Sequence, residues 1–259
     1  MSKIIAVHSY KGGTGKTLIS LNLAATFAKN GKKVCLFDLD FRAPSLFAIL
    51  KAENVEFWFN DYLNSTCDIN KVLIDLSNKF SGNGKFFAGL ANPATEAIRD
   101  ISSKDRKWEM HALGKLLALK ETMIKNQNFD YIFFDTSPGL QYSSINAIVA
   151  ADFVVVATTA DRSDVDGTKR MLQELYNLFE KKTGLVLNKV LDSSATAKKP
   201  EMSNKIRTTY QVPMLGIVPC FCEILRAEGN LIFVQDKPDH PFTKILAEMA
   251  TKIENNEVN

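Results

Sequence analysis

Short, continuously apolar runs rich in β-branched and aromatic residues recur along the chain. Between them lie longer stretches in which apolar positions return every three or four residues. The runs at residues 4–7, 34–37, 86–88, 131–134, 153–157, 185–187 and 215–218 predict strands. Several carry no polar position at all, as a strand covered on both faces should. The intervening periodic stretches predict helices. The first covers about residues 16–29, with Gly31 as its stop. Leu113, Leu116, Leu117 and Ile124 mark one face of a second helix. Met171, Leu172, Leu175, Leu178 and Phe179 mark a third, and Phe242, Ile245, Leu246, Met249 and Ile253 a closing one. This alternation predicts an α/β fold with a mostly parallel central sheet and helices on both faces. Residues 51–84 give no clear period, although Asn83-Gly84 reads as a turn. The polar stretch 190–201, with Lys198, Lys199 and Pro200, reads as a surface loop. There is no repeat and no linker-like composition, so residues 1–259 are expected to form one domain.

Composition narrows the class. A chain of 259 residues buries enough surface to need no disulfide or metal staple. With 32 Lys and Arg against 29 Asp and Glu, the net charge of +3 neither demands nor excludes nucleic acid. A hydrophobic fraction of 46% rules out global disorder. The best apolar run, residues 147–160, is interrupted by Asp152 and is too short to span a bilayer. The apolar stretch after Lys3 is too short for a signal peptide, so Cys35, Cys67, Cys220 and Cys222 read as reduced thiols of a cytoplasmic protein. Three scattered histidines (His8, His111, His240) make no His-rich metal centre.

The strongest chemical signal is Ser9-Tyr10-Lys11-Gly12-Gly13-Thr14-Gly15-Lys16-Thr17, which follows a predicted strand and opens a predicted helix. This is the context of a phosphate-binding loop. Glycines let successive N–H groups turn toward phosphate oxygens, and the helix N-terminus adds positive potential. In such a loop Lys16 reaches the β- and γ-phosphates, and the Thr17 hydroxyl ligates Mg²⁺. The loop departs from the common pattern at Tyr10, which replaces its first glycine, and at Lys11, an additional lysine.

With that lysine the loop resembles the deviant Walker A motif, K-G-G-x-G-K-[ST], of the ParA/MinD family of P-loop ATPases, a MinD-like prokaryotic group. The resemblance runs in family order through most of the chain. It implies a P-loop NTPase fold, ATP and Mg²⁺ as ligands, and an ATP-dependent homodimer. Lys11 would then reach across the dimer to the partner's nucleotide. Gly12, Gly13, Thr14, Gly15, Lys16, Thr17 and Leu18 would line the nucleotide. At Leu18, where the family usually carries a hydroxyl, a contact to the α-phosphate is lost while the N–H remains.

Two acidic motifs end predicted strands: Asp38-Leu39-Asp40 with Phe41–Ser45 behind it, and Asp135-Thr136-Ser137-Pro138-Gly139. Ligands of open α/β sheets bind at the carboxyl ends of strands, so both motifs should converge on the phosphate loop. By resemblance, Asp38 and Asp135 hold magnesium-bound water, and Asp40 orients the attacking water. Asp135, Pro138 and Gly139 belong to the second switch, with Gly139 offering its N–H to the γ-phosphate. Asn188 and Pro219 would read adenine, and Asp161 would lie near the dimer interface. Each of these acids also has a plainer reading as a cap.

The expected function is a Mg²⁺-dependent ATPase, slow without a partner, that acts as a dimeric switch in DNA partitioning or cellular positioning. It would answer to an unidentified activating or cargo protein. Two alternatives remain at this stage. One is a metallocentre-maturation ATPase that pools Cys220 and Cys222 in a dimer; the other is a nucleotide-dependent scaffold without turnover. Non-specific DNA is a family option, carried by Lys169, Arg170, Lys181, Lys182, Lys198, Lys199, Lys205 and Arg207. Attachment to anionic lipid is not expected, because the residues after Ile253 are acidic.

Overall fold

The computed structural model describes residues 2–176, 179–191 and 199–256. Eight strands form one sheet in the order β3-β4-β2-β5-β1-β6-β7-β8. They are β1 Lys3–His8, β2 Lys33–Leu39, β3 Ile74–Asp75, β4 Lys85–Gly89, β5 Tyr131–Thr136, β6 Phe153–Thr158, β7 Lys182–Val190 and β8 Met214–Pro219. Among the described residues only β3 runs antiparallel, against β4; every other pairing is parallel. β1 is therefore central, between β5 and β6, and the strand ends that carry the motifs lie side by side.

Alternation along each strand builds two cores. Ile4 and Ala6, Cys35 and Phe37, Ile132 and Phe134, and Val154 and Val156 face one side, where the helices Arg106–Leu119 and Tyr142–Ala150 cover them. Ile5 and Val7, Val34 and Leu36, and Tyr131 and Phe133 face the other. Helix α1, Lys16–Lys29, and the helix Pro241–Glu254 pack there. Burial on both faces is what removed polar alternation from these strands. α1 ends where expected. Gly31 adopts φ 85°, its N–H donates to Ala28 O, and Lys32 N–H donates to Phe27 O, the paired bonds of a Schellman stop.

The structure corrects two expectations. Leu117 does not belong to the buried face of its helix; it is 49% exposed. The inward positions are Ala112, Leu116, Leu119 and Met123, one stripe that runs on into a π-helical turn over Lys120–Asn126. The stretch 190–201 is not all loop, because a helix begins at Lys199 and runs to Tyr210. Residues 192–198, with Lys198, and Leu178 lie outside the described residues. The unreadable stretch 51–84 holds two short helices, Phe59–Leu63 and Ile69–Val72, and the two-residue β3. Asn83-Gly84 does bend before β4, and a side chain at Gly84 would collide with the backbone of Ala28 and Lys32.

Candidate functional site

The phosphate loop connects β1 to α1. Gly13 and Gly15 have φ of 76° and 92°, conformations that side chains resist. A Cβ at Gly15 would strike the Asn188 amide, so this glycine also permits close approach. Lys16 is 7% exposed, and burial lowers its pKa while Asp135, Asp40 and Asp164 pull it back up. Gly12, Gly13, Gly15, Lys16, Thr17 and Leu18 line a cleft of about 460 Å³, together with Asp40, Pro138 and Gln141. Thr14 faces inward instead and is buried, with its hydroxyl unpartnered among the described residues.

Register brings the acids together. Asp38 on β2 pairs directly with Asp135 on β5, and Asp135 also pairs with Val7 on β1. Asp135 is completely buried. Neither carboxylate oxygen has a hydrogen-bond partner of full geometry among the described residues. Burial pushes its pKa up to about 6, and the nearby Thr17 and Ser20 hydroxyls and Lys16 draw it part of the way back. Asp38 is also buried, and burial, then the charge of Asp135, raises its pKa well above the usual carboxylate range. Its oxygens accept the N–H groups of Asp40 at 3.0 Å, Leu46 at 3.2 Å and Ser45 at 3.3 Å. Asp38 thus does what a cap does, anchoring the loop that carries Asp40. Asp40 opens into the cleft and accepts the Ser137 hydroxyl at 2.9 Å.

The segment after Asp135 folds back over the phosphate loop. Pro138 approaches the position a Gly12 Cβ would take, and Gly139 N–H donates to Ser9 O at 2.9 Å. Lys11 does not enter the cleft of its own chain. Its Nζ lies 2.8 Å from Ser163 Oγ and 3.1 Å from Asp161 Oδ1. Asp161 caps the helix Arg162–Met171, and the Ser163 hydroxyl, then Lys11, hold its carboxyl down at about 2.

Asn188 and Pro219 end neighbouring strands but do not line the cleft. Asn188 is buried, with Nδ2 donating to Thr14 O at 2.7 Å and Oδ1 accepting its neighbour's N–H from Lys189. Pro219 pairs with Val190. Cys220 is half-buried and Cys222 exposed; among the described residues no three His, Cys, Asp or Glu side chains gather as a metal site. Of the basic residues, Lys169, Arg170, Lys182 and Arg207 are exposed. Lys181 instead donates to the Val149 and Ala151 carbonyls. Among the described residues no helix is long and apolar enough to cross a membrane.

Sequence reasoning passed over several residues that complete the site. Arg42, Ser45 and Gln141 line the cleft, and Arg42 stood within the Asp38 motif without a role. His8 and Tyr176 meet beneath the loop. Asp164, completely buried, accepts Thr159 N–H at 2.7 Å and so fixes the turn that presents Asp161. No local pattern marks His8 or Tyr176, because the partners of His8, Gly139 and Tyr176, lie far away in sequence.

A parallel sheet with a glycine-rich loop at the carboxyl end of its central strand, a buried lysine and convergent carboxylates defines a P-loop nucleotide-binding protein. The family profile described as an AAA domain (AAA_31) matches residues 2–193. The septum site-determining protein MinD of Synechocystis is 30% identical over 244 residues, covering 93% of this chain and 85% of that protein. The sporulation initiation inhibitor protein Soj of Bacillus subtilis is 33% identical over 174 residues, 66% of this chain and 64% of Soj. Among solved structures, the Mg-ADP complex of MinD from Pyrococcus horikoshii superposes with a TM-score of 0.78 at 21% identity, covering 99% of this chain and 98% of that one. The chain belongs to the ParA/MinD family of P-loop ATPases.

Proposed function

We propose that this protein is a Mg²⁺-dependent ATP-driven dimeric switch that works in DNA partitioning or cellular positioning. The observation that carries the reading is the orphaned carboxylate of Asp135, buried next to Asp38 in register and near Lys16 and Thr17, which line the cleft. Leaving a buried polar group unpartnered costs about 1–3 kcal/mol, and more for a charge. A hydrated divalent cation delivered with a nucleotide relieves that cost. The donors fit magnesium, which prefers oxygen ligands and retains water. The Thr17 hydroxyl would bind the ion directly, and Asp135 and Asp38 would hold its waters. Bound with ATP, magnesium neutralises charge on the phosphate oxygens.

The chain's own residues do the rest. Gly12 to Leu18 present N–H groups to the phosphates, and Lys16 supplies the main cation. Asp40, steadied by Ser137, orients the water that attacks the terminal phosphorus, giving ADP and phosphate. Lys11, exposed on the rim, serves the nucleotide of a second copy and makes dimerisation follow ATP. The role of Asn188 and Pro219 in reading adenine rests on the family resemblance alone, since both lie outside the cleft and the Asn188 amide is engaged by Thr14 and Lys189. We read the chain as one domain, a reading supported by the eight strands of the described residues joining one sheet. Similarity to MinD and Soj supports a positioning or partitioning role, with an activating or cargo protein as partner.

The test is steady-state phosphate release and sedimentation with and without Mg-ATP. ATP-dependent turnover together with an ATP-dependent dimer supports the reading. A monomer under all nucleotide conditions removes the switch, and the absence of turnover removes the ATPase.

A further inference from the structure

At the end of β1, just before the phosphate loop, His8 is completely buried with both ring nitrogens engaged. Nε2 lies 2.8 Å from the carbonyl oxygen of Gly139. A carbonyl only accepts, so Nε2 carries the proton and Nδ1 is the acceptor. The Tyr176 hydroxyl, 2.8 Å from Nδ1, is then the donor on that side. Burial keeps both groups in these forms, pushing the His8 pKa down to about 4 and the Tyr176 hydroxyl well up. The bonds therefore run one way, from Tyr176 through His8 to Gly139.

The two ends of this chain matter. Gly139, at φ 76°, is gripped at its carbonyl by His8 and at its N–H by the Ser9 carbonyl. It closes the segment that leaves β5 with Asp135 and Ser137, and Ser137 reaches Asp40. Tyr176 ends the π-helical turn Leu172–Tyr176, which continues the helix Arg162–Met171. The first turn of that helix holds Lys11 through Ser163 and the capping Asp161.

We propose that His8 is a positioning residue for the ATPase reaction. By fixing the Gly139 carbonyl it holds the backbone of the segment that leaves β5 after Asp135 and carries Ser137, the partner of Asp40. Through Tyr176 it ties that loop to the helix that holds Lys11. The proposal rests on the ATPase reading above. An aliphatic side chain would fill the same volume but would leave the Gly139 carbonyl without its donor.

The test uses the full chain and its His8→Leu, His8→Gln, Tyr176→Phe and His8→Leu/Tyr176→Phe variants. ATP binding is read by calorimetry and phosphate release under saturating Mg-ATP. Loss of a hydrogen bond to a buried group should lower kcat of His8→Leu about tenfold. ATP affinity should stay within about twofold, the split expected of a group that orients rather than binds. His8→Gln restores a donor toward Gly139 and should recover most of kcat. Tyr176→Phe should fall between, and the double variant should be no slower than His8→Leu alone. Should His8→Leu fail to fold, a reduced kcat at unchanged affinity in Tyr176→Phe, with His8→Gln near wild type, carries the same support. Wild-type kcat in all variants with only a lowered Tm would overturn the proposal, since packing alone would explain the residue. So would kcat and affinity lost together. A wild-type chain that binds ATP without hydrolysing it would sink the ATPase reading, and the proposal with it.

Discussion

Lys11 and Asp161 are paired within one chain, Nζ to Oδ1 at 3.1 Å, with Ser163 completing the cradle. The lysine that marks the family motif is thus held on the rim, outside its own cleft. Lys11→Ala should leave ATP binding by a single subunit largely intact while abolishing ATP-driven dimerisation in sedimentation. Turnover should drop by about 10³-fold, as for a cation supplied in trans. Asp161→Ala frees the lysine without removing it, and dimerisation should survive. A Lys11→Ala protein that dimerises normally would show that the lysine serves only its own loop.

Lys16→Ala should eliminate ATP binding measurable by calorimetry. Lys16 is a buried cation that acts on Asp135 and lines the cleft, and the loop amides alone cannot offset the charge of a triphosphate. Micromolar affinity in this variant would contradict the phosphate-loop assignment.

Asp40→Ala should bind Mg-ATP and accumulate as a dimer, because the phosphate contacts do not involve this carboxylate. Loss of a group that orients the attacking water should slow phosphate release by about 10²-fold or more. Turnover at the wild-type rate would pass that role to another residue.

Tyr10 occupies the place of the first loop glycine, and its ring lies over Gly167 so closely that any Cβ there would overlap it. Gly167→Ala should therefore cost about 1–3 kcal/mol in urea unfolding, the usual penalty of overpacking. Adding Tyr10→Gly should remove most of that penalty in a double-mutant cycle. Additive losses would mean that the two positions do not compete for space.

His8 gives the protein an acid-sensitive component. Its pKa is 6.5 as the unperturbed value and about 4 when folded, because burial disfavours the charged ring. The unfolded chain therefore binds the proton first. Stability from this group is complete above 6.5 and is lost as pH falls toward 4, by up to about 3 kcal/mol. Asp135 runs the other way, losing stability as pH rises from 3.8 through about 6, so the wild-type profile sums opposing slopes. Comparing wild type with His8→Gln by urea unfolding between pH 4.5 and 7 isolates the histidine. The difference should shift toward the variant as pH falls, and a constant difference would refute the assignment.

Much of the fold was legible because its signals are local. Seven strands announce themselves as apolar runs, and Thr14–Thr17 sits in a motif whose spacing is the chemistry. β3 was not legible: two residues, Ile74 and Asp75, are too few to show a period. Leu117 was misplaced because it stands next to Leu116, about 100° further round the helix, and the sequence does not show which of the two faces the sheet. The acids at 38, 40 and 135 were found, yet the backbone bonds that Asp38 makes to Asp40, Ser45 and Leu46 were not, since a cap and a metal-water ligand look alike in sequence. His8 stood one residue outside the motif. Its value comes from Gly139 and Tyr176, which only the fold brings within reach.

The central position of β1 has a consequence for biogenesis. Both of its edges are filled by strands made much later, Tyr131–Thr136 and Phe153–Thr158. While the ribosome works through the residues between, β1 is an apolar strand with two open edges, a template for wrong pairing. The glycine loop behind it has no sheet to stand on during that time. Nucleotide competence therefore arrives late and all at once, when β5 and β6 close on β1, and a nascent chain halted before Thr158 has none of it.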